Sequence, residues 1–120
     1  MATVLVVDDN AVTQRVLAHT IRKAGHTPVA ALNGRDALER LGAGGIDLAL
    51  LDVAMPEMDG LTLLGHIRSI PQHQALPVVM LSASAHDEDR IAARALGAFE
   101  FLSKPASSWE LVETINRALS

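Results

Sequence analysis

Five short apolar runs alternate along this chain with segments whose apolar residues recur at helical spacing, and all but the second run close on a charged or hydroxyl-bearing residue. The runs are Thr3–Val7, Thr27–Ala31, Leu48–Asp52, Pro77–Leu81 leading into Ser82, and Phe99–Ser103. Runs this short and this apolar suit strands buried on both faces of a parallel sheet. Pro28 lacks an N–H, which places the second run at a sheet edge or at the start of its strand. Asn10 reads as the N-cap of a first helix carrying Val12, Val16, Leu17, Ile21 and Ala24, and Gly25 stops it. Asn33 caps a short helix through Leu41, and a third helix spans Gly60 to Ile70 before Pro71. A fourth opens on Asp87-Glu88-Asp89, has Ile91, Ala92, Ala95 and Leu96 as its apolar face and closes at Gly97. Ser107 and Glu110 have capping-box spacing for a last helix that ends near Leu119. Strict alternation with short connections predicts an α/β fold, a doubly wound five-stranded parallel sheet with five helices and right-handed crossovers. The 120 residues are expected to form one domain, 1–120.

The chemistry collects at the carboxyl ends of the predicted strands. The first strand ends at Asp8-Asp9, the third at Asp52, the fourth at Ser82 and the fifth at Lys104. With strand order 2-1-3-4-5, the first and third strands are neighbours at the switch point where open α/β sheets place ligands. Three carboxylates gathered there repel one another unless a cation neutralises them. Mg2+ suits a site of one or two direct carboxylates, waters and a phosphate. A lysine opposite and a hydroxyl between complete a phosphate site. Such a site permits phosphoryl transfer to a carboxylate, because an Asp can act as nucleophile and the transition state asks mainly for positioning and charge neutralisation. Taken alone, Asp52 equally well ends a strand or caps a helix.

Four stretches then carry a resemblance: Val6-Val7-Asp8-Asp9, the run from Leu51-Asp52 through Ala54, Pro56 and Asp59-Gly60, Leu81-Ser82-Ala83, and Phe101-Leu102-Ser103-Lys104-Pro105. In this order and spacing, over essentially the whole chain, the sequence resembles the receiver domain of bacterial two-component response regulators. The resemblance implies a flavodoxin-like fold and a phosphorylation-dependent signalling switch. Asp52 would be the phosphoacceptor. Asp9, Asp52 and the backbone carbonyl of Ala54 would ligate Mg2+, with Asp8 acting through a water. Lys104 would contact the phosphate. Ser82 would follow the phosphate, and Phe101 would change rotamer with it. The bond before Pro105 would be cis. The donor would be a phosphohistidine on a sensor histidine kinase or histidine phosphotransfer protein. Helix four, strand five and helix five would present the change to a downstream protein target or output domain. Ser82 stands where Thr is common, Phe101 lacks the hydroxyl of the frequent Tyr, and Ala54 and Ser84 offer no group to orient a hydrolytic water.

Other functions fit less well. A phosphatase of the haloacid-dehalogenase type would need a second Asp two residues after the nucleophile, where this chain has Ala54. A receiver-like interaction module that is never phosphorylated is the alternative, although Asp8, Asp9, Asp52 and Lys104 are all present. The net charge of −4 without a basic cluster argues against nucleic-acid binding. The absence of cysteine excludes thiolate metal sites and agrees with a reducing compartment. No apolar run reaches membrane-spanning length and the N-terminus lacks the pattern of a signal peptide, so the expected setting is cytoplasmic, away from the membrane. Trp109 falls off the buried stripe of the last helix and reads as a rim residue, with an interface anchor as the alternative. Arg90 and Arg94 read as a solvated face, and the five histidines as surface or helix-end residues.

Overall fold

The computed structural model describes residues 1–83 and 86–120, so Ser84 lies outside the described residues. Five strands, β1 (Thr3–Val7), β2 (Thr27–Ala31), β3 (Leu48–Asp52), β4 (Val78–Ser82) and β5 (Glu100–Ser103), form one sheet in the order β2-β1-β3-β4-β5. Every pairing is parallel. The helices are α1 (Ala11–Lys23), α2 (Gly34–Gly42), α3 (Gly60–Ser69), α4 (Asp87–Ala95) and α5 (Ser108–Leu119). This is the doubly wound, flavodoxin-like arrangement expected from the alternation. Pro28 lies on the edge strand β2, where a missing N–H costs the sheet little.

Strand residues alternate between two apolar layers. Leu5, Val7, Leu51, Val78 and Met80 pack with Leu63, Leu64 and Ile67 of α3 and with residues of α2 and α4. Val4, Val6, Leu50, Val79 and Leu81 pack with Ile21 of α1 and with Leu111 and Ile115 of α5. β3 and β4 are buried along their whole length, as central parallel strands covered on both faces must be.

The caps follow the side-chain chemistry. Asn10, Asn33, Asp59 and Ser107 each accept a hydrogen bond from the backbone N–H three residues on. Gly25, with φ +90, ends α1 by donating to the Arg22 carbonyl while His26 donates to that of Ile21. Gly60 has a different role. A Cβ there would meet the carbonyl of Asp52, so only glycine lets the start of α3 lie against the end of β3.

Two helical faces depart from expectation. Val12 and Val16 are exposed, while Gln14, Thr20 and Ile21 are the buried residues of α1. At 100° per residue Val12 stands on the side of the helix opposite Ile21, so only part of the apolar set faces the sheet. In α4 the buried residue is Ala93, and Ile91 points to solvent. Arg90 is not simply solvated. Its guanidinium lies 4.9 Å from the centre of the Phe101 ring and within 3.4 Å of the Phe101 carbonyl and the Ser103 hydroxyl. Trp109 is exposed, as both readings of it require.

Arg68 on α3 is not marked by the sequence pattern. It donates to the carbonyls of Leu96 (2.8 Å), Gly97 (2.9 Å) and His73 (2.9 Å), and so ties the turn after α4 to α3. Truncation to Ala leaves these carbonyls to water. The Arg68→Ala variant is expected to lose about 2–3 kcal/mol of stability, read as a lower urea midpoint at unchanged slope.

The rim at the amino ends of the strands brings the two chain ends together. Met1, Ala2, His26, Ala118 and Leu119 line one shallow cleft there. The Ala2 N–H donates to His26 Nδ1, and His26 Nε2 lies 3.1 Å from the Asn116 side-chain oxygen.

Candidate functional site

At the opposite rim the ends of β1 and β3 place Asp8, Asp9 and Asp52 together. Each offers one carboxylate oxygen, and these oxygens lie within 4.8 Å of one another. Asp8 follows the last β1 residue and is 1% exposed, while Asp52 is the last residue of β3 and 6% exposed. Asp9 faces solvent. Lys104 comes from the segment after β5, with its side chain partly covered. Its Nζ lies 2.7 Å from Asp8 Oδ2 and 3.2 Å from Asp52 Oδ1. The Lys104 N–H donates to the Ser82 carbonyl, extending the β4–β5 ladder into the site, and the Lys104–Pro105 bond is cis.

Ser82 is buried at the end of β4, next to β3, whose Asp52 pairs with Leu81. Phe101 is buried against the α4 layer beneath Arg90. Ala54 donates its N–H to Asp52 Oδ1 at 3.3 Å, which fixes that carboxylate together with Lys104. The residues singled out in the sequence thus stand at the ends of four neighbouring strands.

The electrostatics are those of an under-neutralised acid cluster. Three carboxylates against one ammonium leave a net charge of −2. Burial raises the Asp52 carboxyl above its ordinary 3.8. Lys104 pulls it down and the Asp8 charge pushes it up again. For Lys104, burial works to lower the pKa, but the hydrogen bond to Asp8 and the charges of Asp52 and Asp8 outweigh it and hold the ammonium above 10.5. A group whose folded pKa is raised contributes its stabilisation below its unfolded value. The Lys104 contribution is therefore complete below 10.5 and is lost as pH climbs through the higher folded value.

All the donors are oxygens, most are charged, and exposed Asp9 leaves one side open. This set fits a hard divalent cation such as Mg2+, which takes few carboxylates and keeps several waters.

Comparison with known proteins agrees with this geometry. The family model of the response regulator receiver domain matches residues 4–116. The chain belongs to the response regulator receiver domain family. A relative, an uncharacterized 14.6 kDa protein in the sodA1 3′ region of Leptolyngbya boryana, is 38% identical over 114 residues, covering 95% of this chain and 87% of that one. The chemotaxis protein CheY4 of Vibrio cholerae is similar at 33% identity with a TM-score of 0.94, covering 99% of each chain. The signal receiver domain of a signal transduction histidine kinase from Syntrophus aciditrophicus is 29% identical with a TM-score of 0.90, covering 99% of this chain and 90% of that one. This receiver therefore belongs to two-component signalling, in which such domains act as switches rather than as enzymes that turn over an external substrate. Among the described residues no helix is long and apolar enough to cross a membrane.

Sequence reasoning missed Gln14. It is 8% exposed on α1, and its amide nitrogen reaches the carbonyls of Val6, Asp8 and Ala31. A polar residue between apolar helical positions was the only available signal.

Proposed function

We propose that this receiver, residues 1–120 acting as one domain, takes a phosphoryl group onto Asp52 from a phosphohistidine on a sensor histidine kinase or histidine phosphotransfer protein. The observation that carries the reading is the contact of one ammonium, Lys104, with both buried carboxylates, Asp8 at 2.7 Å and Asp52 at 3.2 Å. Asp52 is the nucleophile, and its ionised form is required for attack. Lys104 would exchange its carboxylate contacts for the incoming phosphoryl oxygens and offset their charge. Asp9, Asp52 and the Ala54 carbonyl would hold Mg2+ directly, with Asp8 through a water. When bound, the ion supplies charge neutralisation for the anionic group.

The phosphodonor must reach Asp52 from the open rim. Exposed Val12 and Val16 border a groove there with Ala83, Lys104, Pro105 and Ala106, and the donor protein is proposed to rest on it. Phosphorylation adds about −1.5 to −2 charge. Ser82 would move to donate to the new oxygens, and Phe101 would repack beneath Arg90. The change would be read on α4, β5 and α5 by a downstream protein target or output domain. The setting is taken to be the cytoplasm, and no nucleic acid is expected to bind this domain.

The test is incubation with Mg2+ and acetyl phosphate followed by intact mass. One phosphoryl adduct that needs Mg2+ to form, survives later removal of the ion by EDTA and is discharged by mild base or hydroxylamine supports the reading. No adduct at saturating Mg2+ overturns it. Without divalent ions, burial holds the Asp52 carboxyl above 3.8, so its titration in the metal-free protein should be centred above that value. Carbon-13 NMR of labelled aspartate against pH checks this, and a midpoint at or below the ordinary Asp value would contradict it.

A further inference from the structure

The turn that carries the acid pair runs from Asp8 to Asn10 and is held from behind by a side chain that never enters the pocket. Gln14 Nε2 lies 2.9 Å from the Val6 carbonyl, 3.1 Å from that of Asp8 and 2.9 Å from that of Ala31. Three carbonyl oxygens converge on this atom, so it must be the amide nitrogen, since an amide oxygen there would face three acceptors. The Ala31 carbonyl also accepts the Asp8 N–H at 3.1 Å. The Asp8 peptide groups are thus fixed on both sides, one by β2 and one by Gln14.

The rest of the turn is closed by its own bonds. Asp8 Oδ1 accepts the Asn10 N–H at 2.9 Å, and the Gln14 N–H donates to the Asn10 carbonyl at 3.0 Å. Asp9 sits between these fixed residues, exposed, and its aim is set by the backbone that carries it. Rotation of the Asp8–Asp9 peptide would swing the Asp9 carboxylate away from Asp52, and the Gln14 bond to the Asp8 carbonyl opposes that rotation.

We propose that Gln14 is a positioning residue for the acid pair: by holding the Asp8 carbonyl, it keeps the Asp8 and Asp9 carboxylates in the arrangement that binds a divalent cation. The inference rests on the Mg2+-dependent reading above. Outer groups that orient metal ligands commonly account for about 10–100-fold in metal affinity. Methionine has the shape of Gln without the donor, so Gln14→Met should keep the fold and weaken Mg2+ binding about 10-fold by calorimetry. The half-saturating Mg2+ for acetyl phosphate labelling should rise by the same factor, while the rate at saturating Mg2+ stays within about twofold of the unmodified protein. General loosening of the domain would lower the saturated rate as well.

An unchanged Mg2+ affinity in Gln14→Met overturns the inference and leaves the proposed function standing. Absence of Mg2+ binding by the unmodified protein overturns both. Should the variant not fold, hydrogen exchange of side-chain amides in the unmodified protein decides. Gln72 and Gln74 are exposed and serve as internal references. The Gln14 amide should exchange more slowly than theirs, and more slowly still with Mg2+, because the ion and the hydrogen-bonded turn favour each other reciprocally. Exchange as fast as the references, or unaffected by Mg2+, overturns the proposal.

Discussion

Replacing Asp52 with Asn is expected to abolish acetyl phosphate labelling and, in the same variant, to raise the melting temperature. The first effect follows from removing the proposed nucleophile, a change that costs on the order of 10⁴-fold or more in comparable chemistry. The second follows from the electrostatics. Burial and the Asp8 charge hold the Asp52 carboxyl above 3.8 despite Lys104. The folded state then binds the proton more tightly than the unfolded chain, so stability is lost as pH rises from 3.8 through the folded value, and ionised Asp52 is a net cost at neutral pH. Asn keeps the shape and an acceptor for the Ala54 N–H and carries no charge. Calorimetry at neutral pH without divalent ions measures the shift. A lower melting temperature would mean that the Lys104 contact outweighs desolvation. Mg2+ should narrow the difference, since an ion that binds only the folded carboxylates stabilises the unmodified protein more.

Lys104→Ala should have the opposite sign and the larger stability effect. It leaves the carboxylates of Asp8 and Asp52 buried beside each other without their ammonium, which lies 2.7 Å and 3.2 Å away. Removing one partner of a buried pair costs about 3–5 kcal/mol. Since 22% of the Lys104 side chain is exposed, about 3 kcal/mol is expected. Denaturant titration gives the number, and a double-mutant cycle gives its origin. In the Asp52→Asn background the Lys104→Ala loss should shrink, because one of the two stranded charges is gone. Full additivity of the two substitutions would show that Lys104 acts through Asp8 or through packing and not through Asp52. Labelling in Lys104→Ala should fall as well, since the ammonium that would offset the incoming phosphoryl charge is lost.

Much of this is legible in the sequence. Thr3–Val7 and Leu48–Asp52 are buried parallel strands because their apolar runs are too short for helices and too continuous for half-exposed strands. The acids and the lysine can be placed because a doubly wound sheet puts all strand ends on one rim. Gln14, Arg68 and Arg90 cannot, since each meets a backbone carbonyl or ring from another element of the fold. Helical periodicity counts apolar residues and says nothing of where those carbonyls end. The same reason explains why periodicity turns Ile91 inward and passes over Ala93. The α4 layer admits one small side chain at its closest approach, and the larger residue two positions earlier is left outside. Gly60 reads as an ordinary helix start, yet its hydrogen atom is what allows α3 to touch the Asp52 carbonyl.

The meeting of Met1 with Leu119 in one cleft has a practical corollary. Both ends emerge a strand's length, about 17 Å, from the acids, on the side of the sheet a donor protein does not need. A fluorophore, surface anchor or fused neighbour joined at either end should leave the labelling rate untouched. Joining the old ends with a short bridge and opening a new break elsewhere is accordingly a feasible way to rewire the chain.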